Sequence, residues 1–237
     1  MKNLLIIFGF FTVSFATMAQ EKKVAWDYPV KPGTEEWKKF ESNEAMVNAC
    51  QIPEKVLSSI STNDLVEICL QYPLLYDIFA FNNLNEGLDK LHNDFNGIME
   101  FYKRKEAVNE LLKHYNLKIQ NLDFLAGKAS EVEKGLYIIS ISAIEVLLCQ
   151  YDVQNEMSKE ILRNLVSGYE SKSIYADYFK GLGFRTNLYS RVHVITKMNK
   201  QSLEKLESKA INAVLASGMA DIETGSMLDG LSYQLIK

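Results

Sequence analysis

Apolar residues recur along most of this chain at the spacing of an α-helix. Leu65, Ile68, Cys69 and Tyr72 fall at i, i+3, i+4 and i+7, and Ile161, Leu162, Leu165, Val166 and Tyr169 trace a second stripe. Start and stop signals accompany these runs. Thr34, followed by Glu35 and Glu36, offers a capping hydroxyl and two acids for the positive end of a helix dipole. Ser130-Glu131-Val132-Glu133 fits a capping box just ahead of the most apolar stretch beyond the N-terminus. Pro53 and Pro73 stand where a helix can begin, and Gly218 after "INAVLAS" reads as a stop. "YIISISAIEVLLC", Tyr137 to Cys149, is ambiguous: its β-branched residues favour a strand, whereas its capping box, its length and its lack of turn residues favour a helix. The second set of signals predicts a central helix that is apolar nearly all round. Asn96-Gly97 lies between Phe95 and a helix-like run rather than between alternating runs, so it predicts no hairpin.

The chain therefore reads as all-α: an irregular multi-helical array or bundle, with HEAT- or armadillo-like stacking as one form of it. Met46-Val47-Asn48-Ala49-Cys50 and Leu65-Val66-Glu67-Ile68-Cys69 repeat an [ML]-V-x-x-C pattern, which suggests successive short helices. Two copies do not make a solenoid, which needs about three to bury its faces. Residues 35–237 are expected to form one helical domain, with a break near 116–130.

The N-terminus reads as a processing segment over residues 1–19. Lys2 is its positive region, Leu4 to Phe15 its apolar run, and Thr17-Met18-Ala19 a cleavage site before Gln20. Twelve helical residues reach only about 18 Å, short of the roughly 30 Å of a bilayer core. No cysteine lies near the cleavage site to carry a lipid. Export to the periplasm or beyond is the expectation. Residues 20–34 read as an extended arm, because Pro29 and Pro32 lack amide hydrogens and push the residues before them out of the helical region. Trp26, Tyr28 and Trp37 are placed to staple that arm to the body.

"YPVKPGTEEWKKF", "IPEKVLSSISTNDLVEICLQYP" and "NDFNGIMEFYKRKEA" together resemble a group of uncharacterised secreted proteins from Gram-negative gut anaerobes. The resemblance covers roughly the N-terminal half beyond the processing segment. It implies export and an independent all-helical domain, and brings no activity or site residues.

Composition narrows the chemistry. A formal charge of −4 with no basic stripe removes the footprint of a nucleic-acid binder. Past the processing segment no run of 18 apolar residues remains to span a membrane. Cys50, Cys69 and Cys149 lack CxxC spacing, so neither a thioredoxin motif nor a zinc knuckle is present. Buried free thiols are expected, although the matching positions of Cys50 and Cys69 leave a disulfide between them open. No G-x-S-x-G, S-x-x-K, Walker loop or HExxH occurs. "GLGF", Gly181 to Phe184, resembles a carboxylate-binding loop, but its helical flanks make it a helix–helix turn. Asp89 with His92, and Glu110 with His114, share helical faces without completing a di-iron pattern, so no metal and no cofactor are expected. Cys149 with His193 is a further pair, its thiol set in apolar sequence where thiols are inert.

One cluster has a binding use. Tyr169, Tyr175, Tyr178, Phe184 and Tyr189, with Phe179 among them, combine flat apolar faces with polar tips that suit a protein, peptide or carbohydrate ligand. Filling a helix junction is the simpler role for the same residues. The functional expectation is an exported, soluble, non-catalytic binding or scaffold protein. The alternative is an enzyme assembled from scattered polar residues such as Asp89, His92, Glu110 and His114, with a metal.

Overall fold

The computed structural model describes residues 26–153, 155–204 and 208–237, and among them the chain is helical with no strand. The processing segment and the first residues of the arm lie outside the described residues. Serine, asparagine and aspartate caps set many of the helix starts. Ser42 accepts the Ala45 amide ahead of α1 (Asn43–Ala49). Pro53 precedes α2 (Glu54–Ser59), and Ser61 accepts the Asp64 amide ahead of α3 (Thr62–Leu70). A 3-10 turn (Leu75–Ala80) leads to α4 (Leu84–Asp94), capped by Asn83. α5 (Asn96–Lys103) and α6 (Ala107–Gln120) follow, then a 3-10 turn (Leu122–Ala126) that buries Leu122 and Leu125. The capping box of α7 (Glu131–Leu148) forms in full: Ser130 Oγ accepts the Glu133 amide at 3.3 Å, and Glu133 accepts the Ser130 amide at 2.8 Å. α8 (Asn155–Ile174), the short α9 (Ala176–Phe179) and α10 (Leu182–Asn199) form the next group. After a 3-10 turn (Lys200–Leu203) come α11 (Ser208–Ser217) and α12 (Ile222–Leu235), the latter capped by Asp221.

The packing is not confined to chain neighbours. α10 lies against α7, α8, α11 and α12, while α6 lies against α3, α7 and α8. This arrangement resolves the ambiguous stretch. From Ile141 to Cys149 every residue of α7 and its C-cap is buried, because α6 covers one side and α10 another. β-branched residues cost a helix only a few tenths of a kcal/mol each, whereas burying an isoleucine side chain gains about 1.5–3 kcal/mol. Burial wins.

Two local features stand out against the sequence pattern, the first by departing from it and the second by adding to it. The helix expected from Thr34 is a single 3-10 turn, Trp37–Lys39. Thr34 Oγ1 does accept the Trp37 amide at 3.2 Å, but the chain is extended again at Phe40 and the turn buries no residue. A helix start without an apolar face to dock does not propagate. Asn96-Gly97 opens α5, and the Asn96 side chain bonds both the amide and the carbonyl of Ile52 at 3.0 and 2.8 Å. Besides opening the helix-like run, this asparagine ties two distant segments together.

The arm is anchored by one ring. Tyr28 is 4% exposed, donates its hydroxyl to the Ile68 carbonyl at 2.9 Å, and sits beside Tyr72 and Phe95, which stack at 4.0 Å. Trp26 meets the Tyr28 ring edge-on at 4.7 Å.

Gly218 ends α11 at φ +70°, its amide donating to the Val214 carbonyl at 2.8 Å. A Cβ there would lie 2.0 Å from the Arg185 carbonyl oxygen, and Arg185 in turn donates Nε to the Ser217 carbonyl at 3.0 Å. Gly218→Ala is therefore expected to lower unfolding free energy by at least about 1–2 kcal/mol, the cost of the left-handed conformation alone. Chemical denaturation measures it, and an alanine variant as stable as the parent would show that this turn is free to rearrange.

Candidate functional site

The densest group of polar side chains lies where α6, α7, α8 and α10 converge. Glu145 stands on α7 inside the apolar run and has no exposed surface. Its Oε1 accepts from Lys172 Nζ at 2.6 Å, Tyr115 Oη at 2.8 Å and Asn187 Nδ2 at 2.9 Å. Its Oε2 accepts from Thr186 Oγ1 at 2.8 Å. Lys172, in the last turn of α8, also donates to the Gly183 carbonyl at 2.7 Å, and Asn187 donates to the Leu165 carbonyl at 2.9 Å. All five side chains are buried.

Helix ends contribute to this pairing. Thr186 and Asn187 belong to the first turns of α10, so the Glu145 carboxylate meets the positive end of that helix. Lys172 lies at the negative end of α8, and its ammonium faces the carboxylate across the core. Burial pushes the Lys172 ammonium below its ordinary range, and the adjacent carboxylate opposes that shift. Burial, reinforced by Glu145, raises the Tyr115 phenol. The approach of Tyr115 needs a glycine opposite: a Cβ on Gly168 would lie 1.9 Å from the hydroxyl. Chemically the cluster is a closed set of mutually satisfied charges. It binds four helices to one another and presents nothing to a ligand.

Arg191 extends the network towards the C-terminus. It is 2% exposed, its guanidinium lies 4.9 Å from the Tyr169 ring, and its Nη2 reaches Asp229 of α12 at 2.7 Å.

The aromatic residues divide. Tyr169 and Phe184 meet edge-to-face at 5.6 Å, and Phe184 lies 6.2 Å from the buried Phe179. Tyr175 and Tyr178 are half-buried beside them, Lys134 lying 5.4 Å from the Tyr178 ring. Ile174, next in the chain to Tyr175, is 81% exposed. Gly181 turns the chain at φ +79° into α10, which makes "GLGF" a helix junction. Tyr189 is elsewhere: it is buried, donates to Asn85 of α4 at 2.7 Å and packs on His193 at 4.2 Å.

The remaining candidates are scattered. Asp89 and His92 are exposed on α4, in a groove of about 270 Å³ shared with Tyr102 and Gln150. Glu110 pairs with Lys113, whereas His114 faces Glu67 of α3. Among the described residues no group of three or more His, Cys, Asp or Glu is placed to hold a metal. Cys149 donates to the Val146 carbonyl, while His193 bonds the Leu215 carbonyl through Nε2 at 3.2 Å, so no hydrogen bond joins them. Burial pushes the Cys149 thiol up to about 12, which keeps it protonated and inert. Cys50 and Cys69 are also free and buried.

Sequence reasoning passed over the central cluster. Glu145 did carry a signal, as the lone acid between Ile138 and Cys149. Lys172 carried none, because "ESKSIY" reads as a solvated face. With this geometry in view, comparison with protein-family models, curated proteins and solved structures gave no match.

Removing one member of the pair leaves the other charge buried without its partner. Lys172→Met and Glu145→Gln are each expected to cost about 3–5 kcal/mol in denaturant unfolding. The double variant should cost clearly less than the two added together, since its second substitution removes a charge already stranded. Additive losses would mean that the two groups act separately.

Proposed function

We propose that this chain is an exported, non-catalytic binding or scaffold protein whose ligand-facing edge is the junction of α8, α9 and α10. The observation that carries the reading is the contrast between interior and rim. The strongest polar groups, Glu145, Lys172, Tyr115, Thr186 and Asn187, are consumed in holding helices together. Above them Tyr169, Tyr175, Tyr178 and Phe184 stand half-exposed on a rigid base, with Ile174 projecting beside them. Flat rings fixed by packing lose little entropy on binding, which suits a protein, peptide or carbohydrate partner. Tyr189 takes no part, because its ring and hydroxyl are engaged inside. Export is supported by the charged, apolar and small-residue order of residues 1–19. No helix among the described residues is long and apolar enough to cross a membrane.

Export has a direct test. Protein recovered from the periplasm of a Gram-negative host should have an intact mass that begins at Gln20, and a retained Met1 would refute the targeting argument.

The binding edge is tested by screening the folded protein on glycan and peptide arrays, then repeating each hit with Tyr175→Leu and Tyr178→Leu. Leucine keeps apolar contact while removing the ring face and the hydroxyl. Hits should weaken about tenfold or more, the scale of one lost aromatic contact at an interface hot spot. Hits unchanged in both variants would place recognition elsewhere.

A further inference from the structure

A second concave region lies away from the aromatic edge, and the two share no residue. Three helices each turn one i, i+4 pair towards it: Glu67 of α3 with its C-cap Gln71, His114 and Lys118 from α6, Ser140 and Ile144 from α7. The 3-10 turn after α3 closes it with Leu75 and Tyr76. The groove holds about 210 Å³. That is below the roughly 300–1,000 Å³ of pockets for drug-sized ligands, so its occupant must be small.

Its two charges lack strong ion-pair partners. Lys118 is half-buried, and its ammonium lies 4.8 Å from the Tyr137 ring. Among the described residues no carboxylate pairs with it, although the same helix carries the Glu110–Lys113 bridge one turn earlier. Burial alone holds the Lys118 ammonium below its ordinary range. Across the groove Glu67 has one basic neighbour, His114, with Nε2 3.8 Å from its Oε1. Burial lowers the His114 imidazole from its ordinary value, against the opposing pull of Glu67, so burial disfavours the charged form of the one basic group beside that carboxylate. A cation with no carboxylate partner and an anion met only by an imidazole thus stand on neighbouring helices, and Leu70, Leu75 and Ile144 line the groove with them.

Half-buried charges are costly unless something pairs with them. A ligand with one charge would satisfy one side and leave the other exposed to a less polar surrounding. We propose that this groove binds a small zwitterion with an apolar side group, of the α-amino-acid class, its carboxylate towards Lys118 and its ammonium towards Glu67. Gln71 and Tyr76 add polar groups to the lining, Ser140 Oγ donates to the Tyr137 carbonyl and keeps only its acceptor free, and the apolar residues receive the side group.

Isothermal titration calorimetry with three probes of similar skeleton tests this: L-leucine, 4-methylpentanoate, which lacks the ammonium, and isoamylamine, which lacks the carboxylate. L-leucine should bind, and each one-ended analogue should bind at least about tenfold more weakly, as expected for one lost charge-assisted hydrogen bond. Lys118→Met and Glu67→Gln should each weaken L-leucine by a similar factor, with folding verified by thermal melting. No heat from L-leucine at millimolar concentration overturns the proposal. So does an analogue that binds as tightly as L-leucine, or binding unchanged in either folded variant. The analogue comparison uses the wild-type protein and decides the question even where a variant folds poorly.

Discussion

One buried charge pair organises the centre of this molecule. Glu145 and Lys172 meet at 2.6 Å with no exposed surface on either side chain. Stripping water from two such ions costs several kcal/mol each, and the attraction between them repays this only when the remaining lone pairs and protons are satisfied. The surroundings meet that demand. Tyr115, Thr186 and Asn187 complete the carboxylate, and the Gly183 carbonyl takes a second ammonium proton. Tyr115 comes from α6 and Gly183, Thr186 and Asn187 from the start of α10, so satisfying the pair fixes α6, α7, α8 and α10 in one register.

Several other features follow from that requirement. Gly168 lacks a side chain where Tyr115 must pass to reach Glu145. The turn at Gly181 delivers the Gly183 carbonyl to Lys172 and then starts α10 with Thr186 and Asn187 facing the carboxylate. Arg191, one turn further along α10, carries the ordering outward to α12 through Asp229 and stacks beside Tyr169. The aromatic edge therefore rests on the charge network. Its rings are held because the helices beneath them are held.

The groove between α3, α6 and α7 obeys the opposite rule. There Lys118 and Glu67 remain apart and partly exposed, without mutual neutralisation. A fold that pairs Glu145 and Lys172 so closely in its core, yet leaves Lys118 without a carboxylate and Glu67 with only an imidazole beside a concave surface, separates its structural polar groups from its available ones. That separation, rather than any single motif, directs attention to the groove.

The sequence by itself determined the class of fold and many of the helix starts, because these depend on local physics. The 3.6-residue spacing, the capping box at Ser130, the proline before α2 and the stop at Gly218 act within a few residues of chain and can be read directly. The buried thiols followed from the apolar residues around them. Tertiary structure decided the rest. It reduced the expected helix at Trp37 to one 3-10 turn that buries no residue. It made Asn96 a clamp on Ile52, and sent Tyr189 inward to Asn85 while Tyr169, Tyr175, Tyr178 and Phe184 stayed partly exposed. Above all it joined Glu145 to Lys172 and Tyr115, residues 27 and 30 positions away. Each looks ordinary in its own segment. Only the convergence of four helices brings them within hydrogen-bond distance, and such convergence depends on long-range packing that no local pattern encodes.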